Sequence, residues 1–572
     1  MREEKWMIAA KRADFQGIAK KYGIDPVIAR LIRNRDVVDD KEIDEYLNGS
    51  IEALPSPWLF KDMERAVELL TLKIRQGKPI RIIGDYDIDG VVSTYILLRG
   101  LTRLGARVDT YIPDRIADGY GIHLPLIEKA LEDGIDTVLT CDNGIAAREE
   151  IAYAKSQGMT VIVTDHHEVP FELEGEEKKE ILPPADAVIN PKQKDSPYPN
   201  KILCGAAVAY KLIQALYERY GLSKEEQEEY IELAAIATVG DVMDLQGENR
   251  ILVKEGLRRL PHTWNLGLQE LIRANGLEDK KITAYHIGFV IGPCLNASGR
   301  LDTAQRSLEL LKAEDAAQAA KLAGDLVAIN QSRKGLTAQG VEQAVEMVET
   351  TSLKDDRVLV VYLPDCHESL AGIIAGRLRE KYYRPVLVLT KGEHSVKGSG
   401  RSIEAYSMFE ALSECKELMI QFGGHPMAAG LSIEEENVPR LRKKLNERCT
   451  LTEEDLCPKV TIDVAMPFAY IRKDLIEQLE LLEPFGKGNT KPIFAQRGVR
   501  VLHSRVFGAN KNVVKMQLLT EDGYTMEGVY FGESAPFLER ASQEPALSVT
   551  YYPTVNRYQG RENLQVVIQN YR

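Results

Sequence analysis

Three short segments place acidic and imidazole side chains where the chain has just left an apolar run. Asp85-Tyr86-Asp87-Ile88-Asp89-Gly90 follows residues 80–84, Asp142-Asn143-Gly144 follows 137–141, and Asp165-His166-His167 follows 161–164. Carboxylates crowded together repel and take up protons unless a cation neutralises them. Oxygen donors with one or two imidazoles suit Mn²⁺ or Mg²⁺ better than a structural zinc, which favours thiolates. The adjacent histidines, pointing in alternate directions, offer one ligand and one acid-base group. A single Asp-Gly after a strand is most often a turn. Three strand ends with the same chemistry point instead to one metal-dependent centre. A fourth acid, Asp241, ends the apolar stretch 235–240 and by itself reads as a helix end.

Elements must bring these segments together. In an open parallel α/β sheet, ligands bind at the carboxyl ends of the strands, so the three segments are expected to converge. Asp85, Asp87 and Asp89 lie two apart, a spacing expected to put them on one face as a strand gives out. Apolar runs at 80–84, 108–112, 137–140, 160–164 and 187–190 alternate with helical stretches such as 91–104 and 146–157. That pattern predicts an α/β parallel-sheet domain over 61–245. Residues 1–60 read as an N-terminal helical cap, with helices at 9–22 and 25–33. Residues 246–350 read as a helical connector containing a long helix at 314–350. Alternation resumes over 351–450, predicting a second α/β domain. From 458 to 572 the runs are short, β-branched and broken by glycine, as in a small OB-like β-barrel.

A chain of 572 residues needs several cores. Its formal charge of −13 argues against indiscriminate nucleic-acid binding. Residues 458–572 differ, carrying 14 Lys and Arg against 12 Asp and Glu. They interleave aromatic and basic groups at Arg505-Val506-Phe507, Lys511 to Lys515, Tyr551-Tyr552 and Arg557-Tyr558, a combination suited to stacking bases while following a backbone. Seven scattered cysteines with no CxxC read as free thiols. With no secretory apolar core and no apolar run near the ~20 residues of a membrane span, a cytoplasmic protein without membrane contact is expected.

Asp-x-Asp-x-Asp-Gly, Asp-Asn-Gly, Asp-His-His and the later Gly-Asp resemble the four motifs of the DHH phosphoesterase superfamily. Within it, nearly the whole chain is similar to the RecJ-type exonucleases specific for single-stranded DNA. The resemblance implies that Asp87, Asp89, Asp142, His166 and Asp241 ligate one or two Mn²⁺ or Mg²⁺ ions. Asp85, Asp165 and His167 would sit beside them in catalytic or supporting roles.

The resemblance extends to substrate contacts. Arg115, in Pro113-Asp114-Arg115 ahead of Asp118-Gly119-Tyr120-Gly121, reads from its residues as a bidentate phosphate clamp or a surface ion pair; the resemblance makes it a terminal-phosphate contact. Residues 291–301 read as a polar, Gly-bounded loop from which, by the resemblance, Asn296 and Arg300 reach substrate. Cys294 stands where family members often carry arginine. Asn330 and Arg333 match a polar pair on the connecting helix. Segments 398–402 and 422–430 read as Gly-rich loops and resemble the nucleic-acid-binding domain that accompanies DHH domains. There Ser399, Arg401 and His425 would hold phosphates, with His367 a weaker candidate of the same kind. Residues 482–489 resemble the segment that introduces the barrel.

The implied function is a 5′ to 3′ exonuclease on single-stranded DNA that releases 5′-mononucleotides in DNA repair and recombination. It would act as a monomer, with a helicase and a single-stranded-DNA-binding protein as candidate partners. A DHH nanoRNase or oligonucleotide phosphodiesterase is an alternative, although such enzymes usually need neither connector nor barrel. A non-catalytic DNA-binding homologue should lack ligands, whereas every ligand position is filled here.

Overall fold

A computed structural model describes residues 4–115, 118, 119, 121–174, 177–558 and 560–572. Two compact units emerge. One comprises Met7–Gly299, Thr303–Gly324 and Thr461–Arg572; the other comprises Arg300–Asp302, Asp325–Val460 and the N-terminal residues through Trp6.

The larger unit is organised by a parallel sheet of β1 (Pro79–Ile83), β2 (Arg107–Tyr111), β3 (Thr137–Cys141), β4 (Thr160–Thr164) and β5 (Ala187–Ile189), in the order β2-β1-β3-β4-β5. Central strands buried on both faces read as continuous rather than alternating runs, and β1, β3 and β4 are buried at nearly every position, mostly with Val, Ile, Leu and Thr. Their register decides where the chemistry emerges. Ile83 lies opposite Thr140, Thr140 opposite Val163, and Cys141 opposite Thr164. The three strands therefore end together, and the acidic segments leave from one edge.

Helices α1 (Ile88–Arg103), α2 (Gly205–Arg219), α3 (Ile231–Gly240) and α4 (Gly247–Arg259) belong to the same unit. Gly100 lets α1 approach α2: a Cβ there would lie 2.6 Å from Cδ1 of Ile213. The first acidic segment departs from expectation. β1 stops at Ile83, Asp87 is the N-cap of α1, and Asp89 lies in its first turn. Strand alternation therefore does not orient these acids; helix capping does. Residues 291–301 also differ, forming helix α5 (Gly292–Leu301) after a π-helical turn at Ile287–Ile291. Pro293 directly follows that π-helical turn in a helical stretch unbroken from Ala284, and the wider turn accommodates the residue that lacks an N–H.

The N-terminal helices Phe15–Tyr22, Pro26–Asn34 and Asp40–Asn48 begin at Asp14, Asp25 and Asp39, whose side chains accept backbone N–H groups. The Asp14 cap starts the first helix at Phe15 rather than residue 9. Ile28, Leu31, Ile43 and Tyr46 from these helices share one core with Phe468, Phe494, Val514 and Tyr551. Segments from opposite ends of the sequence thus bury a common apolar surface.

In the other unit, strands β6 (Leu359–Tyr362), β7 (Val386–Lys391), β8 (Val396–Arg401), β9 (Met419–His425) and β10 (Ala428–Ile433) form a mixed sheet ordered β9-β10-β8-β7-β6. Most of the two expected Gly-rich loops is paired strand: Ser399 lies opposite Val388 and Gly430, and His425 opposite Ala428. The glycines weaken the strand signal but serve packing, since a Cβ on Gly398 would lie 2.5 Å from Cδ2 of Leu389. The expected long helix is present as α6 (Ala316–Thr350), and α7 (Ala371–Tyr382) follows β6.

The C-terminal strands β11 (Phe494–Phe507), β12 (Val513–Thr520), β13 (Thr525–Phe531), β14 (Leu547–Tyr558) and β15 (Arg561–Tyr571) close into a barrel ordered β11-β12-β13-β15-β14. Among the described residues, no helix is long and apolar enough to cross a membrane.

Candidate metal centre

Around the strand edge, ligand atoms gather into three overlapping groups among the described residues. Those of Asp85, Asp87 and Asp142 lie within 4.8 Å of one another, as do those of Asp89, His166 and Asp241, and those of Asp142, His166 and His167. His166 is the hub. Its Nε2 lies 3.0 Å from Oδ1 of Asp142, 3.5 Å from Oδ2 of Asp89 and 3.8 Å from Oδ2 of Asp241.

Backbone amides hold the carboxylates of Asp87 and Asp89. Asp87 Oδ1 accepts the N–H groups of Asp89 at 2.9 Å and Gly90 at 3.1 Å, fixing the start of α1. Gly90 must lack a side chain because a Cβ would strike the Asp85 carbonyl. Asp89, fully buried, accepts the N–H groups of Gly205 at 2.6 Å and Ala206 at 2.8 Å from the N-terminus of α2. That terminus favours a carboxylate because its amides are unpaired and its dipole end is positive. Asp142 sits at φ +59°, a left-handed conformation that aspartate tolerates better than most residues. Gly205 is required beside it, since a Cβ would lie 2.7 Å from that of Asp142. Asp241 caps the C-terminal end of α3.

Asp165 supports the histidines. Its carboxylate accepts the N–H groups of Ile145 at 2.9 Å, His166 at 2.7 Å and His167 at 3.1 Å, and pairs with Nδ1 of His167 at 2.7 Å. Burial alone would raise Asp165, but the His167 ring, the His166 charge and the Ile145 amide hold it down to about 2. Burial would likewise lower His167, yet its bond and charge pairing with Asp165 lift it to about 9. Four acids move the opposite way. Burial, then the Asp87 charge, raises Asp85 to about 7; burial, then Asp89 and Asp87, raises Asp241 to about 8; and burial with neighbouring acids also raises Asp87 and Asp142. His166 is lowered by burial.

The donor set fits a divalent cation. Asp85 Oδ1, Asp142 Oδ1 and Asp241 Oδ2 are buried without a hydrogen bond. Several carboxylates and an imidazole so clustered are a poor arrangement for a protein interior unless positive charge compensates them. Oxygen donors dominate and no thiolate joins them, which suits Mn²⁺ or Mg²⁺.

The structure also places groups that the sequence left out. Asn143 donates to the Gly84 carbonyl at 2.8 Å and Asn190 to the His167 carbonyl at 3.0 Å. Only the small residues Gly205 and Ala206 at a helix start hinted at the Asp89 amide cradle. Asn296 is near the centre, but its Oδ1 accepts the Ile88 N–H at 2.8 Å and so holds the first turn of α1. A Cβ on Gly299 of the same helix would strike the Tyr86 carbonyl. The Arg115 guanidinium lies 4.9 Å from the centre of the Tyr86 ring, next to the acids. Tyr120 lies outside the described residues.

The remaining substrate candidates belong to the other unit. Arg300 donates to the Ser369 carbonyl at 3.0 Å, and Arg401 to Oγ of Ser399 at 3.3 Å. Gly372 near the start of α7 leaves room for both, since a Cβ would lie 2.8 Å from Ser399 Oγ and 2.9 Å from Arg401 Nη2. Arg333 donates to Asn330 Oδ1 at 3.1 and 2.9 Å, one turn apart on α6. His425 is exposed at the end of the edge strand β9, and His367 caps the turn before α7 through its bond to Ser369.

A groove of about 1300 Å³ begins beside Asp241, with Gly240 and Val242 in its wall. Its lining carries seven Lys or Arg against three Glu, in a chain whose net charge is −13. The rings of Tyr285 and Phe289 stack on each other at 4.9 Å and are 64% and 62% exposed. Phe485 and the barrel residues Tyr552 to Val555 line it as well. Sequence reading singled out Tyr552, Arg557 and residues 482–489 but not the groove they join, because its walls come from four separate stretches of the chain.

Comparison with known proteins adds to this geometry. Family models match residues 79–238 as the N-terminal domain of the DHH family, residues 355–451 as a DHHA1 domain and residues 462–570 as a RecJ OB domain. The chain is 36% identical over 572 residues to the single-stranded-DNA-specific exonuclease RecJ of Bacillus subtilis, covering 99% of this chain and 70% of that protein. It is 32% identical to the protein of that name from Escherichia coli, covering 96% of each. Among solved structures it is similar to RecJ of Thermus thermophilus in complex with Mn²⁺, with a TM-score of 0.83 and 30% identity over 99% of this chain and 79% of that one. A Mg²⁺ complex of the same protein gives a TM-score of 0.77 at 28% identity, over 99% of this chain and 78% of that one.

Proposed function

The chain belongs to the RecJ family of single-stranded-DNA-specific exonucleases, and from that premise we propose that the cluster around His166 is its hydrolytic centre and that it digests from the 5′ end. The protein is a metal-dependent exonuclease acting on single-stranded DNA. The observation that carries the site assignment is the set of three ligand groups linked through Asp142 and His166, with buried carboxylate oxygens that make no hydrogen bond.

Asp87, Asp89, Asp142, His166 and Asp241 hold one or two Mn²⁺ or Mg²⁺ ions, and Asp85 reaches the same space. Bound there, such ions supply Lewis acidity that makes water a nucleophile near neutral pH and offsets charge on the phosphate and its leaving oxygen. Asp165 fixes the His167 ring through Nδ1, orienting it to act as a hydrogen-bond donor to phosphate or a proton shuttle. Asn296 steadies the turn carrying Asp87 and Asp89. Arg115, Arg300, Asn330, Arg333, Ser399, Arg401 and His425 hold the strand's phosphates. Gripping a terminal 5′ phosphate makes the enzyme act from an end and release 5′-mononucleotides. The basic, aromatic groove beside Asp241 also takes the strand, its rings offering faces to bases.

The sequence domains are retained in this reading: a helical cap over 1–60, a catalytic domain over 61–245, a connector over 246–350, a nucleic-acid-binding domain over 351–450 and an OB-like barrel over 458–572. The enzyme works in DNA repair and recombination as a cytoplasmic monomer that receives strands opened by a helicase or coated by a single-strand-binding protein.

The test uses end-labelled DNA with Mn²⁺. Long single strands bearing a 5′ phosphate should be shortened to mononucleotides, while duplexes and strands with blocked 5′ ends resist. Efficient digestion of di- to pentanucleotides with poor digestion of long strands would favour an oligonucleotide phosphodiesterase instead.

A further inference from the structure

The loop after Asp241 is gripped by a turn from the far end of the chain. At the turn, Leu245 N–H donates to the Lys487 carbonyl at 2.8 Å and Gln246 Nε2 to the Gly488 carbonyl at 2.9 Å, while Lys487 Nζ lies 3.2 Å from Asp244 Oδ1. The fit is close. A Cβ on Gly488, at φ +72°, would lie 2.9 Å from that of Asp244, and one on Gly486 would lie 2.6 Å from Cδ1 of Leu245.

The turn is itself anchored. Gly486 and Asn489 exchange backbone hydrogen bonds at 3.0 and 3.2 Å. Asn489, fully buried, donates to the carbonyls of Leu482 and Pro484 and accepts from Arg35 Nε and the Tyr46 hydroxyl. The gripped loop itself closes the end of α3, where Val242 N–H donates to the Val239 carbonyl at 3.2 Å and Met243 N–H to the Thr238 carbonyl at 3.0 Å. Val242, next to Asp241, sits at φ +57° with its side chain 60% exposed. A β-branched residue rarely adopts this conformation unless its surroundings impose it.

We propose that the turn at residues 486–489 is a positioning device for Asp241, so that the segment introducing the barrel contributes to metal binding in the catalytic domain. The inference rests on the reading of Asp241 as a metal ligand. Two hydrogen bonds and an ion pair tie Asp244 to Gln246 to the turn, the Asp241 N–H is held by the Ala237 carbonyl at 2.8 Å, and the short turn between these anchors sets the direction in which the carboxylate leaves α3 toward His166.

Isothermal titration of Mn²⁺ into the full-length protein tests this, together with the Mn²⁺ dependence of single-stranded-DNA digestion. G488A should weaken Mn²⁺ binding by about tenfold, the scale of losses when groups that orient metal ligands are disturbed. G486A, whose new methyl meets only the Leu245 side chain at an ordinary φ, should act in the same direction and serves if G488A does not fold. Gly523 provides the control: it sits at φ +83° in the turn between β12 and β13 with nothing near its Cβ position. G523A should carry a similar backbone penalty yet bind Mn²⁺ as the wild type does. Folded G488A and G486A with wild-type Mn²⁺ affinity, beside a weakened D241N, would overturn the clamp and leave the metal assignment intact. Equal weakening in G523A would also overturn it. Wild-type affinity in D241N would instead remove Asp241 from the metal site.

Discussion

The side-chain oxygen of Asn296 accepts the backbone N–H of Ile88 at 2.8 Å, tying helix α5 to the first turn of the helix that bears Asp89. Removing that acceptor leaves a helix-start N–H unpaired, at a cost of about 1 kcal/mol. N296A should therefore lower the thermal midpoint and raise the Mn²⁺ concentration needed for half-maximal activity. Unchanged stability and metal dependence with weaker DNA binding would show that Asn296 serves the substrate instead.

Loss of the imidazole hub should be far more severe. With H166A or D87A, Mn²⁺-dependent digestion should fall by about 10³-fold or more, since a ligand lost from such a centre removes most transition-state stabilisation. Initial rates on end-labelled single strands check this. A wild-type rate in either variant would place the metal centre elsewhere.

Asp165 touches His167 and three backbone amides and holds the ring from behind. D165N keeps the shape but removes the charge that lifts His167 to about 9. The variant should lose about 10- to 100-fold in kcat, in the range seen for partners that orient catalytic histidines. In NMR titrations its His167 should lose its proton at a lower pH than in the wild type.

Metal-free stability should depend on pH with a defined sign. Asp85 is raised to about 7 and Asp241 to about 8, above an unfolded carboxylate near 4. Groups raised by folding give stability that is complete below the unfolded value and is lost as pH climbs through the folded one. The apo protein should lose stability between about pH 4 and 8. Added Mn²⁺ should raise the thermal midpoint more at pH 8 than at pH 5. An equal rise at both values would mean that these acids do not compete with protons for the ion.

Tyr285 and Phe289 should matter to long strands only. Stacking on an aromatic face is worth about 1–3 kcal/mol per base. Replacing both with alanine should weaken binding of a metal-free 20-mer about tenfold or more, while leaving hydrolysis of a dinucleotide nearly unchanged. Fluorescence anisotropy and product analysis separate the two effects.

Much of the parallel sheet, the long helix and the C-terminal barrel was legible because each announces itself locally. Val and Ile runs that end in Asp mark buried strands and their exits, and period-3.6 alanine patterns mark helices. The segments that misled did so where tertiary packing overrides local signals. Residues 292–301 look like a loop by composition, yet Pro293 is accommodated behind a π-helical turn and Gly299 is needed for close approach to Tyr86. Glycines in 398–430 suggest loops, yet most stand in paired strands where neighbouring side chains fill the space.

The sequence by itself determined the chemistry, because residue type fixes which groups can donate oxygen and nitrogen to a cation, and strand ends fix that they emerge along one edge. Only the tertiary structure decided their roles. Strand register brings Asp142 to His166, the amides of Gly205 and Ala206 hold Asp89, and Asp165 turns inward to orient His167 rather than joining the three ligand groups. Those relations depend on contacts between residues tens or hundreds of positions apart, and no local propensity encodes them.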